Sequence, residues 1–111
     1  MAMTVNVLGT EYTIKKSNRV DDLGLEHADG YCDHSTKTIV IDTFKNYEQS
    51  PDVLGDLDDY EKKVIRHELV HAFLFESGLS VNAWAKDEEI VDWIALQFPK
   101  LQEAFAQSNA I

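Results

Sequence analysis

"RHELVHAFLFESG" spans residues 66–78, and its reading decides how the rest of the chain is understood. His67 and His71 are four residues apart, so on an α-helix they stand about one turn apart on one face. Two imidazole nitrogens can reach a single ion from that spacing. Glu68, offset by about 100° around the helix, is no obvious third ligand but can meet a water held by the ion. HExxH therefore supplies two metal ligands and a base in the arrangement that metal-assisted hydrolysis needs. The plainer alternative is a pair of hydrogen-bonded core histidines with a glutamate at the rim.

The helix limits are legible on both sides. Asp56 is suited to cap it, Asp58 and Asp59 complement the positive end of its dipole, and Gly78 is suited to a left-handed C-cap after Ser77. Val64, Val70 and Leu74 flank the histidines, while Ile65, Leu69, Ala72 and Phe73 occupy the other side. A helix apolar on both flanks is expected to lie centrally, with its histidine face roofed.

Upstream, "TVNVL" alternates with Val5 and Val7 on one side, Gly9-Thr10 interrupts, and "EYTIKK" resumes with Tyr12 and Ile14 on a common face, predicting a hairpin. Val20, Leu23 and Leu25 are expected to tether an irregular stretch from Ser17 to Asp29 to the core. "GYCDHSTKTIVID" predicts a second strand pair, with a turn at His34 to Thr36 between a short segment at Tyr31 and a stronger one from Thr38 to Ile41. Pro51 and Gly55 mark the connector to the HExxH helix.

Downstream, Ile90, Ile94 and Phe98 recur at helical spacing, broadened by Val91, Trp93 and Leu101. Asp87 and the glutamates fall in the first turn. Pro99 is expected to kink this helix or begin a new one, leaving Leu101, Ala104 and Phe105 as a terminal packing segment. The fold class is thus α+β, one domain over residues 1–111, with a small, mostly antiparallel sheet packed on the HExxH helix and a second helix beside it.

Composition narrows the partners. Twenty acidic against ten basic residues give a net charge of -10, which opposes binding to nucleic acid. There is no basic leader and no apolar stretch of spanning length, so neither membrane insertion nor export is expected. The single cysteine, Cys32, forms no intramolecular disulfide and no thiolate metal site alone, which points to the reducing cytoplasm. Trp84 and Trp93 read as packing residues.

Two histidines leave tetrahedral coordination incomplete. The loop from Gly78 to Lys86 is long enough to bring the second helix back antiparallel, so Glu88 or Glu89 can approach the pair; spacing alone does not choose between them. The chain resembles small phage-associated zinc metallopeptidases of the gluzincin kind, related in pattern to the ImmA/IrrE-like peptidases. The resemblance is strong from Tyr60 to Pro99 and weaker through "NVLGTEYTI" and "GYCDHSTKTIVID". Their second-helix pattern, Exx[AV][DN]xxA, falls on Glu88, Val91, Asp92 and Ala95.

The resemblance implies a minimal zincin-like fold in which His67, His71 and Glu88 hold Zn²⁺ and Asp92 orients a ligand histidine. It implies hydrolysis of peptide bonds in a protein or peptide substrate, with Glu68 activating the zinc-bound water. The compartment would be the cytoplasm, the host's if the chain is phage-encoded. Tyr31, His34 and Tyr60 are candidate donors to the oxyanion, and the sequence does not select among them. Two alternatives stand beside this reading: a noncatalytic, zinc-stabilised protein-interaction domain of phage origin, and a hydrolase acting on a nonpeptide bond.

Overall fold

A computed structural model describes residues 2–44, 57–79 and 86–111, and these form a small α+β structure. Strands β1 (Met3–Val7), β2 (Thr10–Ser17), β3 (Gly30–Asp33) and β4 (Thr38–Asp42) precede helices α1 (Leu57–Glu76) and α2 (Glu88–Gln107). The proposed cap at Asp56, the connector punctuation at Pro51 and Gly55, and Trp84 lie outside the described residues.

The first hairpin forms with Val5 opposite Tyr12 and Val7 opposite Thr10. Its reversal is one residue earlier than the Gly9-Thr10 reading: Leu8 and Gly9 make the turn with φ of 50° and 91°. Positive φ at both central residues matches the twist of the flanking strands. The second hairpin also forms, with Tyr31 opposite Val40 and Cys32 opposite Ile39.

How the hairpins join was not evident from periodicity. The strand order is β1-β2-β4-β3, with β2 and β4 paired in parallel. The cause is hydrophobic: Ile39, Val40 and Ile41 are all buried, so β4 takes an interior position covered on both faces. The shorter, half-buried β3 is left at the edge.

Helix α1 lies on this sheet through Val64, Glu68 and Ala72, a stripe of one residue per turn. Gly30 permits the close approach at the β3 edge. A Cβ there would meet Val64 Cγ1 at 2.9 Å and Ile41 Cδ1 at 3.0 Å. The carboxy end of α1 is tied down by Glu76, which accepts hydrogen bonds from Thr10 (3.0 Å), the Tyr12 hydroxyl (2.7 Å) and Lys37 (3.0 Å). Gly78 follows with φ of 82°, as its C-cap reading requires.

Helix α2 departs from expectation in two ways. No new helix begins at Pro99, which lies inside the single helix, and the buried residues are Val91 and Ala95. Phe98 and Phe105 are exposed, as are Trp93 and Leu96, so the expected terminal packing segment is largely uncovered. The helix packs on α1 along the narrow line of Val91 and Ala95. Among the described residues, no helix is long and apolar enough to cross a membrane.

Glu76 makes the acid limb of stability informative. The Tyr12 hydroxyl, Lys37 and Thr10 hold its carboxyl down to about 2, below the value it would have unfolded. Its contribution is therefore complete above the unfolded pKa and is lost as pH falls toward 2. Chemical denaturation as a function of pH should show Glu76→Gln to be less stable than the parent at neutral pH, with the gap closing toward pH 2. A gap independent of pH would show that the network does not depend on the carboxylate charge.

Candidate metal centre

His67 and His71 project from α1 toward the first turn of α2, where Glu88 stands. Asp87 caps α2 through an Oδ1 that accepts the Glu89 N–H at 2.9 Å, placing Glu88 as the first helical residue. The Glu88 side chain is 68% exposed, yet its carboxylate spans both imidazoles. Oε2 lies 2.9 Å from His67 Nε2 and 3.2 Å from His71 Nε2, and Oε1 lies 3.0 Å from His71 Nε2. Glu89 is exposed and takes no part.

The donor set suits one metal ion. The two histidine Nε2 atoms are 3.2 Å apart, and the ligand atoms of His67, His71 and Glu88 all fall within 4.8 Å of one another. Donors at zinc-ligand distances around a tetrahedral ion stand roughly 3.3 Å apart. The observed separations are close to the edges of such a tetrahedron. The imidazoles are 18% and 20% exposed, sheltered but accessible from one side.

Asp92, one turn beyond Glu88, is brought against the other nitrogen of His67, with Oδ1 3.2 Å from Nδ1. An Nδ1–H donated to this carboxylate leaves the Nε2 lone pair on the Glu88 side. Sequence reasoning missed the second partner of Asp92. Lys63 approaches the same oxygen at 2.6 Å and, ahead of His67, holds the Asp92 carboxyl below its usual range.

Glu68 differs from the rim position considered above. It lies on the sheet-facing stripe of α1, only 7% exposed. It has no hydrogen bond or ion pair among the described residues, and it lines the same cavity as His67, His71 and Glu88, a space of about 610 Å³. Burial raises its carboxyl to about 7, with His67 opposing and Glu88 reinforcing the shift. A carboxyl with this environment is suited to take and return a proton.

The three candidate oxyanion donors also line the cavity, but in different states. The Tyr31 hydroxyl donates to Asp22 Oδ2 at 2.6 Å, and the Tyr60 hydroxyl donates to Asp29 Oδ2. His34 is stacked on Phe75.

A further contact sets α2 against α1. Pro99 has no N–H, so the carbonyl four residues earlier, that of Ala95, loses its helical partner. Arg66 Nε on α1 donates to that carbonyl at 2.6 Å. The signal was present in the sequence as a proline four positions after a buried alanine. Which cation would reach the carbonyl depended on the packing of two helices.

This clasp predicts a nonadditive pair. Arg66→Met should destabilise the protein by about 1–3 kcal/mol by leaving a partly buried acceptor unpaired, and by less when Pro99→Ala restores the backbone donor. Denaturant titrations of the four-member cycle measure the difference. Equal penalties in both backgrounds would mean that Arg66 does not substitute for the missing N–H. Comparisons with protein-family models, with curated proteins and with solved structures find no match to this chain.

Proposed function

We propose that the chain is a zinc-dependent hydrolase of peptide bonds in a protein or peptide substrate, a minimal zincin-like peptidase of the gluzincin kind. The observation that carries the reading is Glu68, a buried carboxylate without a partner among the described residues, facing one cavity with three convergent ligand atoms. Among the described residues no side-chain oxygen is both sealed and unpartnered, so the Glu68 carboxylate opens on the cavity, where a bound water can meet it. The HExxH spacing and its match to the ImmA/IrrE-like pattern support the same assignment.

In this reading His67, His71 and Glu88 hold the ion, and Asp92, itself held by Lys63, fixes the tautomer of His67. Zinc supplies a Lewis acid and lowers the pKa of a coordinated water. Glu68 accepts the proton of the attacking water as its oxygen adds to the carbonyl carbon. The carbonyl π pair moves to oxygen, then returns as the C–N bond breaks, and Glu68 delivers the proton to the leaving amine.

A second reading draws on the exposed Trp93 (54%) and Leu96 (53%) of α2, which suit a noncatalytic interaction domain that zinc stabilises. Glu68→Gln separates the two. The amide preserves shape but accepts no proton, so this variant should keep about one zinc per chain and lose roughly 10²–10⁴-fold in the rate of peptide-library digestion. His67→Ala and His71→Ala should lose zinc as well, read by metal analysis alongside thermal melting. Undiminished turnover in metal-loaded Glu68→Gln would remove the proposed base; zinc binding without any turnover in the parent would favour the interaction domain.

A further inference from the structure

We propose that His34 is the neutral donor that holds the scissile carbonyl oxygen as negative charge develops on it. The assignment rests on the peptidase reading above. His34 sits in the turn after the edge strand β3 and lines the cavity shared by Glu68, His71 and Glu88.

Its ring is fixed on two sides. It stacks on Phe75 of α1 with centroids 4.2 Å apart and planes 4° from parallel. Its Nδ1 lies 3.4 Å from Cys32 Sγ. Burial, followed by the carboxylates of Glu68 and Asp33, pushes the Cys32 thiol up to about 12, so it remains an S–H. Imidazole nitrogen is the better acceptor of that pair and sulfur the weaker one, so the thiol donates to Nδ1 and the ring proton resides on Nε2. Burial first, then His71 and Lys37, lowers His34 from the usual imidazole value, which favours the neutral ring that the Cys32 contact already suits.

Elimination points to the same residue. Tyr31 and Tyr60 already donate to carboxylates, and Lys63 is held by Asp92. His34 has no hydrogen bond beyond the Cys32 contact among the described residues. Its Nε2–H is thus a neutral donor, not engaged by another described residue, on a ring that lines the cavity. Such a donor needs no reorganisation as charge appears, which is how oxyanion stabilisation acts. It transfers no proton, since Glu68 carries that proton from water to amine.

The test uses the zinc-loaded full chain. His34→Phe keeps a ring on Phe75 but removes the N–H, and His34→Gln restores a donor. We expect His34→Phe to lower kcat on a mixed peptide library by about 10²–10³-fold and to weaken a peptidyl phosphonamidate, a tetrahedral anion, comparably. Zinc stoichiometry and melting temperature should hold, and His34→Gln should recover part of the rate. In the unsubstituted protein, the His34 Nε2–H proton resonance should move downfield when the phosphonamidate binds.

Full turnover in His34→Phe, a loss of turnover that tracks loss of zinc, or an unmoved resonance in a phosphonamidate complex would each overturn the assignment. A parent that hydrolyses the library while His34→Phe matches it removes His34 alone. A zinc-loaded parent that neither hydrolyses the library nor binds the phosphonamidate removes the peptidase reading and His34 with it.

Discussion

The site depends on one constraint: α1 must lie close enough to the sheet for the Val64, Glu68 and Ala72 stripe to be buried. Gly30 on β3 makes that approach sterically possible, and Glu76 anchors the far end of the helix to the first hairpin. Once α1 is seated this way, the turn between successive residues rotates His67 and His71 off the sheet and toward α2. The same helix therefore shows a carboxylate to the cavity wall and two imidazoles to its mouth.

Helix α2 completes the arrangement through few contacts, and those contacts are directional. Val91 and Ala95 supply its buried line, and Arg66 reaches the carbonyl that Pro99 leaves without a partner. A narrow apolar line alone would let two helices slide, because hydrophobic burial has little orientational preference. A charge-assisted hydrogen bond to one carbonyl does not permit that freedom. The first turn of α2, with Glu88 and Asp92, is carried into place as a consequence.

Electrostatics and packing oppose each other at Glu68. Burial favours its neutral form, whereas the neighbouring imidazole of His67 favours the charged one. A structural core would resolve the conflict with an apolar residue at this position between Val64 and Ala72. The chain instead keeps an ionisable group, together with the Cys32 and His34 pair on the opposing strand and turn, around the same cavity. Under the proposed function, these groups would act together where a proton is moved beside a polarised bond.

What the sequence by itself determined was local. The carboxy end of α1, the shared face of His67 and His71, the two hairpins and the C-cap at Gly78 follow from periodicity and turn chemistry within a few residues. Of the two readings offered for Pro99, a kink or a new helix, the new helix does not occur, because another helix satisfies the freed carbonyl. The apolar face of α2 was overestimated because periodicity reports which residues could be buried, and only a neighbour decides which are. Spacing left Glu88 and Glu89 equivalent. The cap at Asp87 and the crossing of α2 over α1 bring Glu88 to the histidines and turn Glu89 away. The parallel pairing of β2 with β4, the burial of Glu68, the Lys63 hold on Asp92 and the stack of His34 on Phe75 were likewise tertiary decisions. Each joins residues distant in the chain, and no local pattern encodes which of several eligible partners packing will bring within reach.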